Sequence, residues 1–220
     1  MSSTVRAVPT TKARWAWATG GSLVGGLALG VLTNLAQGWL PGAWNQIVNS
    51  GAVWSVAAFV AGALLAGWVS LAVCAVGGLL AEVGLVVGYY GYAEFGRDGM
   101  GSLLYPSVWM GMAFVAGPLF GIAGAWWRHG QDMRRRTVGL AALAGVFGME
   151  GIHYAWVLHY GPEAWACFAL LVLVPLVMAR THKERARTLL AAVAFSLLAY
   201  TVIDLGFLGR IDACIGLGHC

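Results

Sequence analysis

Residues 51–93 contain a single charged side chain, that of Glu82, in a run of 43 residues. A helix that crosses the hydrocarbon core of a membrane needs about 20 apolar residues. The run is therefore too long for one crossing, and it predicts two crossings joined by a tight turn near Gly67 and Trp68.

The rest of the chain has the same apolar character. Of its 220 residues, 60% are hydrophobic and 10% are charged, and the mean hydropathy is +0.75, whereas soluble domains carry about 25% charged residues. The apolar runs lack the alternation of a barrel strand and exceed its length of about 10 residues. Helices are the other structure that satisfies the backbone within lipid. The sequence therefore predicts an all-α polytopic membrane bundle.

Seven apolar runs are long enough to be candidate spans. They comprise residues 15–40, 44–66, 70–92, 105–127, 137–160, 163–179 and 188–208. This division predicts a cytoplasmic N-terminal segment 1–14, a single transmembrane domain 15–208 and an extracytoplasmic tail 209–220. Six spans remain the alternative, if one of the second and third spans, or the short sixth, is re-entrant. The first run is longer than the apolar region of a signal peptide, which indicates an uncleaved helix.

The basic residues predict the orientation, because Lys and Arg of short loops remain on the cytoplasmic side. With seven spans and a cytoplasmic N-terminus, eleven basic residues lie inside and two, Arg97 and Arg210, lie outside. This distribution favours an N-in, C-out topology. It also explains the net charge of +4 without a nucleic-acid partner, so the expected partner is the lipid bilayer.

Four ionisable side chains fall inside the predicted spans: Glu82, Glu150, His153 and Asp204. A charged residue at the centre of a spanning helix costs about 2.5–3.5 kcal/mol on insertion scales, so such residues face the bundle interior and find partners there. Counted along their spans, all four lie between the midplane and the outer surface. Glu150 and His153 are three residues apart and therefore share one helical face.

Uncharged polar side chains occur at the same depth. Together with the ionisable groups, the candidate site residues include Asn34, Gln37, Asn49, Tyr89 and Tyr154. The inner halves of the spans contain almost nothing polar beyond Ser, Thr and Gly. Amphipathic aromatic residues surround the polar level: Trp44, Trp54, Tyr89, Tyr90, Tyr105, Trp109, Tyr154 and Trp156. Apolar walls with a few convergent polar groups are typical of a small-molecule site.

The main hypothesis is a polar pocket that opens outward and binds a small polar or cationic solute for capture or transport. The carboxylates would supply charge or exchange protons, the imidazole would orient the solute or relay protons, and the amides would hydrogen-bond the solute. The alternative is that these groups bond one another or the backbone and hold the helices together. The protein would then be a non-catalytic scaffold or assembly factor.

An enzyme is the other alternative. Glu150 and His153 have the spacing of carboxylate-bridged metal bundles, but the sequence has no second Glu-x-x-His motif. A mononuclear metal site with these two residues would make the protein an intramembrane metal-dependent enzyme. The sequence has no nucleotide-binding loop, G-x-S-x-G elbow or H-E-x-x-H helix, and no cofactor is predicted.

The four cysteines fall into two groups. Cys74 and Cys167 lie in different spans, where a thiol is typically a small apolar filler. Cys214 and Cys220 lie in the tail that the topology places outside, where an oxidising compartment permits a disulfide. A free pair, or a metal pair with His219, is the alternative.

Several segments resemble a family of uncharacterised bacterial multi-span proteins that is known only as a domain of unknown function. They are LAQGWLP (35–41), NSGAVWSVAAFVAGAL (49–64), VVGYYGYA (86–93), GPLFGIAGAWWR (117–128) and AGVFGMEGI (144–152). The resemblance implies a bacterial inner-membrane protein and no particular activity.

The layout is also similar to the substrate-capture subunits of energy-coupling-factor transporters, which dock on a membrane partner through small residues. In the first span, Gly21 and Gly25, and likewise Gly26 and Gly30, are four residues apart. This spacing offers a face for a membrane partner or a second copy of the chain. Packing within the monomer is the alternative.

Overall fold

The computed structural model describes the backbone of residues 11–97 and 99–208, and the side chains of 13–97, 99–203 and 206. Within these ranges the chain forms helices and no β-strand. The elements are α1 (Thr11–Trp39), α2 (Trp44–Val48), α3 (Gly51–Leu65), α4 (Leu71–Gly96), α5 (Leu104–His129), α6 (Met133–Trp156), α7 (Gly161–Met178) and α8 (His182–Ala199), with a π-helical extension (Tyr200–Leu208).

The predicted all-α membrane bundle is confirmed. Seven helical segments of the described chain are long and apolar enough to span a bilayer, and α2 and α3 together form the second of them. The predicted turn between the second and third spans is present. Its Gly67 has a φ of +84°, which glycine adopts readily because it has no Cβ.

The helices pack around α4, α5 and α6. α1 lies along α4, α3 contacts both α4 and α5, and α6 contacts α5, α7 and α8. Glycines allow the backbones to approach closely: a Cβ added to Gly26 would lie 2.1 Å from the Ala81 carbonyl oxygen, and one added to Gly62 would lie 1.9 Å from that of Gly121. In lipid, such contacts replace the hydrophobic effect as the force between helices.

The two glycine pairs of α1 have different surroundings. Gly26 and Gly30 lie directly against the backbone of α4, whereas Gly21 and Gly25 have no atom within 4 Å of an added Cβ. The first pair therefore packs within the monomer. The second pair borders an open apolar groove between α1 and α3, and its use as a docking face stays a prediction.

The last span begins earlier than predicted. α8 starts at His182 rather than near residue 188, because Thr181 caps the helix by accepting a hydrogen bond of 3.2 Å from the Glu184 backbone N–H. Glu184 is completely buried. It accepts hydrogen bonds from Arg136 Nε at 3.0 Å and from the Arg180 backbone N–H at 3.0 Å, and it also forms an ion pair with Arg136 Nη2.

This ion pair lies just before the predicted fifth and seventh spans, in segments that the sequence assigned to cytoplasmic loops and that the structure includes in helices. A buried carboxylate joins the first turns of α6 and α8, at the end of the bundle where most arginines lie. α6 itself begins at Met133 instead of near residue 137, after a cap in which the Asp132 carboxylate accepts from the Arg134 N–H at 3.0 Å. α1 likewise begins inside the predicted N-terminal segment, at Thr11.

The second span is interrupted, which the sequence did not predict. α2 ends at Val48, and Ser50 is extended, with a φ of −97° and a ψ of 150°. Its side chain accepts a hydrogen bond of 3.3 Å from the Val53 N–H, so Ser50 is the N-cap that starts α3. The interruption places a helix N-terminus inside the bundle.

Candidate functional site

Glu150 of α6 lies at the interruption of the second span. Its Oε1 accepts a hydrogen bond of 2.8 Å from the backbone N–H of Ala52, in the first turn of α3. The partial positive charge of a helix N-terminus stabilises a carboxylate in this position. Glu150 is only 8% exposed. This contact is one reason why a carboxylate is tolerated inside the bundle, and it connects two spans.

A cavity of about 340 Å³ adjoins this contact. Its walls come from the interruption of the second span, the start of α5, the last turns of α6 and the π-helical extension. The polar side chains of the lining are Gln46, Asn49, Ser50, Glu150, His153 and Tyr154, together with the phenol of Tyr105. We refer to it as the Glu150 cavity.

The Glu150 cavity contains one carboxylate and one imidazole, those of Glu150 and His153. Among the described lining residues, Glu150 is the only carboxylate, and neither Lys nor Arg is present. In a partly buried site the effective dielectric constant is well below that of water, so an ionised carboxylate attracts a cation more strongly than it would at the surface. The cavity therefore suits a positively charged or hydrogen-bond-donating ligand.

Aromatic rings form one wall of the cavity. Trp109 lines it and packs on Trp54, with ring centroids 5.0 Å apart, and Trp54 packs on Tyr89 at 5.5 Å. The Trp54 indole also donates a hydrogen bond of 3.3 Å to the Val48 carbonyl oxygen. The wall therefore reaches from the cavity to α4 and also connects α3 to the end of α2.

Three predicted site residues lie in a separate cluster between α1 and α4. The Asn34 amide donates a hydrogen bond of 3.1 Å to the Tyr89 carbonyl oxygen, and the Tyr89 hydroxyl donates to Gln37 Oε1. Arg97 donates to the Asn34 carbonyl oxygen at 3.0 Å. Asn34, Gln37 and Tyr89 do not line the Glu150 cavity; they bond one another and hold α1 against α4.

Glu82 lies apart from the cavity as well. It is 3% exposed and is not among the residues that line the Glu150 cavity. Its Oε1 is buried and has no hydrogen-bond partner in the part of the chain that the structure describes. The side chain of Asp204 and both Cys214 and Cys220 lie outside the described residues.

The structure thus divides the predicted set. Asn49, Glu150, His153 and Tyr154 come together in one cavity. The Ser50 N-cap was not among the predicted site residues; the signal that could have revealed it is a serine directly before Gly51, a common way for a helix to begin.

The described residues contain no group of three His, Cys, Asp or Glu side chains that could hold a metal ion. Glu150 and His153 lie within one helical turn of each other. Cys74 and Cys167 are buried free thiols packed among apolar side chains.

No curated protein and no solved structure matches this chain. Residues 9–208 match the model of a family of unknown function, DUF6518. The match includes all seven candidate spans and every residue of the Glu150 cavity. The chain therefore belongs to DUF6518, a family of unknown function.

Proposed function

We propose that this integral membrane protein binds a small cationic or polar solute in the Glu150 cavity, for capture or transport at the bacterial inner membrane. One observation carries the proposal: a single buried carboxylate borders a cavity of about 340 Å³ in which the described lining contains neither Lys nor Arg. The volume falls in the range of about 300–1,000 Å³ that small-molecule sites occupy.

The lining favours an organic ammonium ion over a bare metal ion. Tyr105, Trp109 and Tyr154 line the cavity, and a cation near the face of an aromatic ring is stabilised by about 0.5–2 kcal/mol. Amide and hydroxyl groups on the wall can accept hydrogen bonds from an ammonium group. A ligand with both a positive charge and an apolar body satisfies the carboxylate and the rings together.

The interrupted second span supports a role in capture or transport. Discontinuous helices form the binding sites of many secondary transporters, near the midplane of the membrane. Here the carboxylate next to the cavity also caps α3 through Ala52. A cation in the cavity would interact with the same carboxylate as that N–H, so binding would act on the first turn of α3. Since the sequence contains no nucleotide-binding loop, the energy would come from an ion gradient or a partner protein.

Ligand-induced thermal stabilisation tests the proposal. A ligand that binds only the folded protein at 100 times its Kd stabilises it by about 2.7 kcal/mol. We expect choline or tetramethylammonium to raise the Tm of the purified protein, at an ionic strength matched with NaCl. Glu150→Gln retains an oxygen that can accept from Ala52 but removes the charge, and it should weaken binding about tenfold or more.

Glu82→Gln is the matched control, because it neutralises a buried carboxylate of the same bundle that does not line the cavity. Its ligand-induced shift should equal that of the unmodified protein. Equal loss of the shift in both variants would contradict the assignment of the site. If no cation or polar solute raised the Tm, the result would instead support the scaffold hypothesis.

The N-in orientation has a separate test. After replacement of Cys214 and Cys220 by serine, Gln131→Cys in the loop between α5 and α6 should react only with a thiol reagent supplied from the cytoplasm. Ser102→Cys, in the loop between α4 and α5, should react from outside. The reverse labelling pattern would indicate that the Glu150 cavity opens towards the cytoplasm.

A further inference from the structure

A second cavity lies at the opposite end of the bundle from the Glu150 cavity. It has a volume of about 180 Å³ and is formed by the turn after α3, the start of α4, the end of α5 and the start of α6. Its polar side chains are Trp126, His129 and Arg135. We refer to it as the Arg135 cavity.

The polar side chains of the Arg135 cavity are hydrogen-bond donors. The Trp126 indole N–H is buried and has no acceptor within the described residues. No Asp or Glu belongs to the described lining. Within the same part of the chain Arg135 forms no ion pair, whereas its neighbour Arg136 is neutralised by Glu184. The positive charge of Arg135 is therefore available to a ligand.

One adjoining helix end, the N-terminus of α4, favours an anion. α4, which is 26 residues long, begins at Leu71 on the cavity wall, and the Ser70 side chain makes no capping hydrogen bond there. The partial positive charge of that N-terminus is thus not offset by its own cap. The ends of α3 and α5 also border the cavity, and because their negative potential opposes that of α4, the main attraction for an anion comes from the Arg135 guanidinium.

We infer that the Arg135 cavity binds a phosphate group. Arg135 supplies the planar, bidentate donor set that phosphate oxygens accept best, and Trp126 and His129 add N–H donors. The group belongs to an anionic phospholipid headgroup or to a soluble phosphate. Its position at the basic end of the bundle fits the lipid source, because anionic lipids gather at the cytoplasmic leaflet, where basic pockets between helices bind their headgroups. The inference is independent of the function proposed for the Glu150 cavity.

The experiment compares three probes on the full-length protein in neutral detergent. Inorganic phosphate is tested by its effect on Tm. Dioleoylphosphatidylglycerol and dioleoylglycerol, which lacks phosphate, are tested by their retention on the protein in native mass spectrometry. We expect selective retention of phosphatidylglycerol if the source is lipid, and stabilisation by inorganic phosphate if the source is soluble.

Arg135→Gln and Arg134→Gln form the matched pair of variants. Both remove one positive charge from adjacent exposed positions, but only Arg135 lines the cavity. Arg135→Gln should weaken binding of the phosphate-bearing probe at least tenfold, and Arg134→Gln should change it less than twofold. Trp126→Phe retains most of the ring and removes the N–H, so it should weaken binding of the phosphate-bearing probe several-fold. This variant tests the inference if Arg135→Gln fails to fold.

Three results would overturn the inference. They are equal weakening by the two arginine variants, equal retention of phosphatidylglycerol and dioleoylglycerol, and no binding of either phosphate-bearing probe. The first would indicate general attraction to a basic surface. The second would indicate an acyl-chain contact without recognition of phosphate.

Discussion

Replacement of Arg136 by alanine is expected to lower the free energy of unfolding by about 3–5 kcal/mol, because removal of one partner leaves a buried charge without compensation. Glu184 is completely buried, and in the described chain Arg136 is the basic side chain with which it pairs. Arg136 uses both Nε and Nη2 for this carboxylate. Arg180 adds a backbone N–H donor and a weaker charge–charge attraction, so it compensates the carboxylate only in part.

Unfolding by heat or SDS in detergent micelles measures the effect. Arg134→Ala is the control, since this neighbour is exposed and forms no ion pair in the described chain; it should change stability by less than about 0.5 kcal/mol. Arg136→Lys should give an intermediate loss, because an ammonium group cannot form the bidentate contact. The double variant Arg136→Met with Glu184→Leu should recover much of the stability. Equal stability of the two alanine variants would contradict the assigned role.

Gly62→Ala is expected to destabilise the bundle by about 3 kcal/mol, the upper end of the usual cost of overpacking. The added Cβ would lie 1.9 Å from the Gly121 carbonyl oxygen. The obstacle is backbone rather than a flexible side chain, so α3 and α5 would have to move apart. Separation of these helices would also disturb the neighbouring Phe59 and Gly124, which are in similar contact.

Gly111→Ala on α5 is the matched control. An added Cβ there meets nothing within 4 Å, and alanine is favoured over glycine in a helix interior by about 1 kcal/mol. The two substitutions should therefore shift the unfolding midpoint in opposite directions in the same assay. A similar shift for both would show that the close approach of α3 and α5 does not limit stability.

The span count was predictable because it depends only on where residues lie along the sequence. The length of each apolar run and the position of each arginine along the chain are visible without knowledge of packing. The glycine turn at Gly67 followed from the same reasoning, since residues 51–93 had to be divided in two. The depth of Glu150 and His153 in their span was accessible by the same means.

The rotation of each helix about its own axis, which decides the neighbours of each side chain, was not predictable in this way. Glu82 and Glu150 have similar depths when counted along the predicted spans, yet Glu150 borders a cavity and Glu82 does not. Their neighbours in space come from helices that are distant in sequence, such as Ala52, which is 98 residues from Glu150. Asn34 and Gln37, which were predicted to lie at the same level, contact Tyr89 of α4 instead. Residues with the same predicted depth therefore do not all line the same cavity.

The start of α8 was misplaced for a related reason. The segment HKERAR (182–187) carries four charged residues, and such a run is typical of a solvated loop. Its carboxylate is neutralised by Arg136, 48 residues earlier in the chain. A partner at that distance converts an apparent loop into the first turns of a helix, and local patterning cannot reveal it.

The packing of α1 on α4 limits when α1 can dock during synthesis of the chain. α1 packs mainly on α4, and roughly 60 residues separate the ends of these two helices. A ribosome that adds about 5–20 residues per second needs about 3–12 seconds to synthesise them. Throughout that interval the nascent first crossing has lipid and the insertion machinery as its surroundings, and its docking surface does not yet exist.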